Sequence, residues 1–178
     1  MKLEAEFRHR CEAIAVDWRH RFGLRPFDPL LAEQLLQALN GEAVPPDQLP
    51  NVSWEAVHHL LTHDDWSAGI VRNQPLLIVY HPAHSPARHQ ADLMHELAHI
   101  LLEHPMTGFS PETGLPLRDA RHEDEATYLG GCLQIPRLGL RWAAQRGYVY
   151  TQIAGHFGAS EDMVRFRSNL TRIYVQSA

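Results

Sequence analysis

The chain has 178 residues, 44% of them apolar and 21% charged, the composition of an ordinary globular domain with room for one core. No apolar run approaches the about 20 residues that a membrane span needs, and two cysteines, Cys11 and Cys132, do not make a disulfide framework. The net charge of −5 is uneven: residues 137–178 carry six Arg against Glu161 and Asp162, so +4, and residues 1–136 carry ten basic and nineteen acidic residues, so −9.

The N-terminal stretch is charged throughout and lacks the apolar block of a signal peptide, so a cytoplasmic protein is expected. Residues 3–21 read as an amphipathic helix with Phe7, Cys11, Ile14 and Trp18 at helical spacing. Asp28 with Pro29 at the first position predicts a second helix, carrying Leu30, Leu31, Leu35, Leu36 and Leu39. The proline-rich GEAVPPDQLPN predicts a loop, and Ser53 caps a short helix to His63. Residues 68–72 and 76–80 predict two short strands around an Asn-Gln-Pro turn. Leu76–Tyr80 is expected at a sheet edge, where an extended peptide could add as a further strand.

Ser85 and Pro86 then open a helix that should run to His104, where Pro105 stops it. MTGFSPETGLPLRD predicts a loop, and residues 120–135 a helix ended by Pro136. Helices over 138–146, 151–157 and 161–175 complete the chain. The fold class expected is α+β: a mostly helical single domain around a small sheet, its last segment resembling a helix-turn-helix.

The chemistry concentrates in His-Glu-Leu-Ala-His, residues 95–99. Thirteen histidines make chance matches easy; His-Glu-x-x-His arises in roughly 6% of shuffled chains of this composition, so context decides. Histidines four apart on a helix point about 40° from one another, near enough to bind one zinc ion. Arg88 and Asp92 share that side, and Asp92 is a candidate to orient an imidazole. Leu93, Leu97, Ile100 and Leu101 form the opposite, core-facing stripe. Glu96, about 100° round from His95, is placed to act as a base beside the metal rather than as a ligand. A catalytic zinc wants a third protein ligand. On the next helix Glu123, Thr127 and Gly130 share one face, and Glu125, Leu129 and Cys132 the other. Glu123 is the expected ligand and Glu125 its rival; with Glu125, Cys132 would turn toward the metal. A thiolate from Cys132 or Cys11 blocking the site is a further expectation.

Three segments in series, RHQADLMHELAHILLEH, EDEATYLGGCLQIPR and IAGHFGASEDMVRFR, resemble the ImmA/IrrE-like zinc peptidases over residues 70–173. The sequence departs mildly at Ala98, where many members have Gly, and at Thr127, where many have Asn or Asp. A hydroxyl at Thr127 is a weaker orienter of histidine. The resemblance implies one metallopeptidase domain over 1–178: N-terminal helices (1–65), a zincin-like core with the active-site helix (66–136) and a basic helical segment (137–178). It also implies zinc on His95, His99 and Glu123, with Glu96 catalytic. The implied activity is cleavage of a helix-turn-helix repressor that derepresses stress-response, mobile-element or antiphage genes. The alternative is a DNA-binding regulatory module with a structural or vestigial metal site, its basic C-terminal helices touching DNA through Arg165 and Arg167.

Overall fold

The structure is a computed structural model and describes residues 3–105 and 119–176. The expected loop over 106–119 lies, all but Asp119, outside the described residues.

The first helix, α1, is Ala5–Arg21. Its buried line is Cys11, Ala15 and Arg19, with Phe7, Ile14 and Trp18 half-buried beside it. Arg19 is fully buried because its guanidinium is saturated: Nη2 donates to the carbonyls of Leu133 (2.8 Å) and Gln134 (3.1 Å), Nη1 to Ala15, and Nε to Asp28. A buried cation is tolerated only when so satisfied, and here it ties three separate stretches of chain together.

The second helix, α2, is Ala32–Ala38, starting later than the Asp28-Pro29 signal predicts. Asp28 is held by Arg25 instead, at 2.9 Å. The open end of α2 is satisfied from a distance: Gln90 Oε1 accepts from Ala32 N at 3.0 Å and Gln90 Nε2 donates to Leu30 O. The GEAVPPDQLPN segment is not all loop. Glu42–Val44 forms β1, followed by a 3-10 turn at Pro46–Gln48. Three residues of strand carry no periodicity, and β1 exists through its parallel pairing with a strand over thirty residues later.

Helix α3 is Trp54–Thr62, with Ser53 Oγ capping Ala56 N. Strands β2 (Ala68–Asn73) and β3 (Leu76–Tyr80) form an antiparallel pair as expected. The sheet order is β1-β3-β2, so β3 is the central strand, buried over Leu76–Val79. The expectation that β3 lies at an edge is wrong; the edge strands are β1 and β2, and β2 bulges between Ile70 and Arg72. The continuous apolar run of β3 is what a strand covered on both faces looks like.

Helix α4 is Pro86–Leu101, capped by Ser85 and two to three residues shorter than Pro105 alone would set. Glu103 adopts φ 57° and turns the chain back before the proline is reached. Helix α5 is Ala120–Gln134, capped by Asp119, whose Oδ1 accepts from the amides of Arg121 (2.9 Å) and His122 (3.1 Å). The core of α1, α2, the sheet, α4 and α5 is one apolar cluster. A second, around Ile135, Leu140, Ile153, Phe157 and Val164, joins α6 (Arg137–Gln145), α7 (Tyr150–Phe157) and α8 (Glu161–Thr171). None of the described helices is long and apolar enough to cross a membrane.

Candidate metal centre

Helices α4 and α5 run against each other at unusually close range. Gly130 makes this possible: a Cβ there would stand 3.2 Å from Met94 O and 3.3 Å from the backbone of His95. The small residues of α5 therefore face the histidine helix, and Glu123, seven residues earlier on the same stripe, is carried to the histidine pair.

His95 Nε2 and His99 Nε2 are 3.2 Å apart. Glu123 Oε2 lies 3.3 Å from His95 Nε2, and Oε1 lies 3.6 Å from His99 Nε2. Two atoms bonded at about 2.05 Å to one tetrahedral centre stand about 3.3 Å apart. The three side chains are thus spaced as ligands of a single ion. They are also the one group of three or more His, Cys, Asp or Glu side chains among the described residues whose donor atoms converge within 4.8 Å. All three are partly open to solvent, which a site that must admit a substrate requires. Glu96, next to His95 on α4, is 8% exposed.

The surroundings of the two imidazoles differ. His95 Nδ1 has Thr127 Oγ1 at 3.5 Å, the outer limit of a hydrogen bond, as the weak hydroxyl orienter predicts. Asp92 does not serve His95 or His99; it pairs with His84 Nδ1 at 3.2 Å and approaches Arg88 at 3.7 Å. His99 Nδ1 lies 2.9 Å from His104 Nδ1, and His104 Nε2 lies 3.2 Å from Glu125 Oε2. Glu125 Oε1 accepts from Arg121 Nε at 2.8 Å. Burial pulls His104 below the ordinary histidine value. Burial would raise Glu125, but hydrogen bonds from Arg121 and His104 prevail and hold it below the carboxylate norm.

Glu125 therefore faces away from the three converging ligand atoms. The cysteines do too. Cys11 and Cys132 lie in the core between α1 and α5, both fully buried. Burial pushes the Cys11 thiol up to about 12 and the Cys132 thiol well above its usual value. Neither is in the convergent group, so the geometry opposes a thiolate block of the site. His156, on α7, donates to Phe27 O and is outside the convergent group. Tyr128 is buried under Arg167. Sequence reading missed the His99–His104–Glu125 link. Its signal was present only as a histidine five residues past His99 and an acid two past Glu123.

Residues 50–169 match the sequence model of the M78 peptidases, described as the IrrE N-terminal-like domain. This chain belongs to that family. The matched span covers both α4 and α5. No curated protein matches the sequence. Among solved structures, a Mycobacterium tuberculosis transcriptional regulator is similar in fold, with TM-score 0.60 and 17% identity over 89% of this chain. This chain spans only 46% of that one.

Proposed function

We propose that this IrrE N-terminal-like domain is a zinc endopeptidase that cleaves a helix-turn-helix transcriptional repressor, releasing stress-response, mobile-element or antiphage genes. One observation carries the reading: His95, His99 and Glu123 converge at 3.2–3.6 Å with Glu96 following His95 on the same helix. Two histidines and a carboxylate suit zinc, and zinc so held supplies Lewis-acid activation of water and of a peptide carbonyl. Glu96 then acts as the proton carrier, taking a proton from the attacking water and delivering it to the leaving amine. With Glu123 and the histidines assigned to the ion, Glu96 is the carboxylate of the His-Glu-x-x-His motif that takes the proton-carrying role.

The outer edge of β2 is where an extended substrate segment would pair, through backbone hydrogen bonds that do not read side chains. Selection must then come from docking of a folded partner, which favours a dedicated substrate over general digestion. The fold neighbour is a transcriptional regulator, which supports a regulatory setting. The C-terminal helices support direct DNA reading poorly. The α7–α8 pair has a Gly158 turn, but Arg167 is fully buried against Glu12 and Ile135 O, and Arg165 lies over Tyr150.

The test is to incubate the zinc-loaded protein with the helix-turn-helix protein encoded beside it. A single cut, lost in Glu96→Gln with zinc retained, is expected. Digestion of casein at many sites, or a cut unaffected by Glu96→Gln, would contradict the reading.

A further inference from the structure

One chain of polar contacts has no part in the peptidase reading. It begins at the far nitrogen of His99 and ends at the surface. The inference drawn from it rests on the metal reading above.

When Nε2 of an imidazole faces a metal, its lone pair is committed there, and the ring proton sits on Nδ1. His99 Nδ1 must then donate, and the atom 2.9 Å away, His104 Nδ1, must accept. That choice fixes His104 in turn: with Nδ1 an acceptor, its proton is on Nε2, which faces Glu125 Oε2 at 3.2 Å. Glu125 accepts again, through Oε1, from Arg121 Nε at 2.8 Å. Every donor in this chain meets an acceptor, with no conflict of polarity. The reverse assignment would give His99 an acceptor Nδ1 and a protonated Nε2, which cannot bind a metal.

The C-terminal turn of α4, of the Schellman type, brings His104 back to His99. A helix continued through Glu103 would carry residue 104 onward and away. Instead α4 ends at Leu101, Glu103 takes φ 57°, and His104 N donates to His99 O at 3.0 Å. A glutamate in the left-handed region is held there at some cost in strain. The ring of His104 is then stacked on His122, centroids 4.3 Å apart, and its side chain is 6% exposed. By contrast, among the described residues His95 Nδ1 has the 3.5 Å contact to Thr127 Oγ1.

We propose that His104 and Glu125 are positioning residues of the metal site, fixing the tautomer and ring orientation of His99 through a His99–His104–Glu125–Arg121 relay. His95 receives no comparable support from Thr127. The affinity for zinc therefore depends on His104 and Glu125 more than on Thr127.

Outer hydrogen-bond partners of metal-bound histidines contribute about 10–100-fold to metal affinity. His104→Phe keeps ring volume and the stack on His122 but removes both nitrogens. It is expected to weaken zinc binding about 10–100-fold in chelator competition, with the circular dichroism of the parent. Glu125→Gln is expected to weaken it severalfold, and Thr127→Val to change it less than about threefold. Ring 15N spectra of the zinc-loaded parent need no variant to fold. His99 should show a protonated Nδ1, and His104 an acceptor Nδ1 with a protonated Nε2. A folded His104→Phe with the parent's zinc affinity, or a His104 protonated on Nδ1, would overturn the proposal. His99→Ala is the reference: loss of its zinc confirms the metal reading independently, whereas parental affinity there would remove that reading and this proposal together.

Discussion

Gly130 offers a direct test of how the two helices make the site. Its absent Cβ would lie 3.2–3.3 Å from Met94 O and from His95 N and Cα, all backbone. Ordinary carbon contacts lie at about 3.5–4.0 Å, so Gly130→Ala must widen the α4–α5 gap by roughly 0.3–0.5 Å. No flexible side chain can absorb that. Metal bonds tolerate about 0.2 Å, and the shift acts between Glu123 on one helix and His95 and His99 on the other. Zinc affinity should fall about tenfold or more, which is about 1.4 kcal/mol. The effect on the metal-free fold should be small: overpacking costs about 1–3 kcal/mol, and the alanine's helix propensity returns about 1 kcal/mol. Gly155 in α7 is the control, with nothing within 4 Å of its missing Cβ. Gly155→Ala should stabilise by about 0.5–1 kcal/mol and leave zinc binding alone. The assays are urea unfolding in chelator and zinc competition titration. If Gly130→Ala stabilises the apoprotein as Gly155→Ala does and keeps the parent's zinc affinity, the close approach of the helices is not what sets the site.

Three further outcomes follow from the same structure. Asp119→Ala removes the cap from the first turn of α5, which should destabilise by about 1 kcal/mol in urea unfolding and weaken zinc binding, because Glu123 sits in that turn. The buried thiols make stability fall in alkali. Cys11 is raised to about 12, so the folded state keeps a proton that the unfolded chain loses above 9.0. The contribution is whole below pH 9 and is lost as pH rises through that window, by about 1.4 kcal/mol per unit per thiol. Urea unfolding at pH 8 and 10 should show it, and Cys11→Ala should flatten the slope. Removing zinc with a chelator should lower Tm: ligand at about a thousandfold over Kd contributes about 4 kcal/mol, or roughly 8–16 °C for a chain of this size.

Much of this architecture is written locally. Ser53 and Ser85 with Pro86 each announce a helix within four residues and cap as their chemistry dictates; Asp119, expected as the end of a loop, caps α5 as well. The convergence of His95, His99 and Glu123 follows from two helical stripes and the glycine that lets them meet. What escaped sequence reading is held from far away. The start of α2 is capped by Gln90, 58 residues on, and β1 is a strand only because β3 lies beside it. The end of α4 depends on a positive φ at a glutamate, a residue type that gives no warning of it. The alternative DNA-binding reading needs Arg167 at the surface, but Val164, Arg167 and Ser168 share one face of α8 and all three are buried.

The central claim is that His95, His99 and Glu123 hold one zinc ion, with Glu96 acting as the base and not as a ligand. The most direct measurement is an anomalous difference map at the zinc edge from crystals of the zinc-loaded protein. The account predicts a single strong peak within about 2.0–2.2 Å of His95 Nε2, His99 Nε2 and a Glu123 oxygen, with Glu96 outside bonding distance. A peak bonded to Glu125 or a cysteine in place of Glu123, or no peak between the histidines, would contradict it.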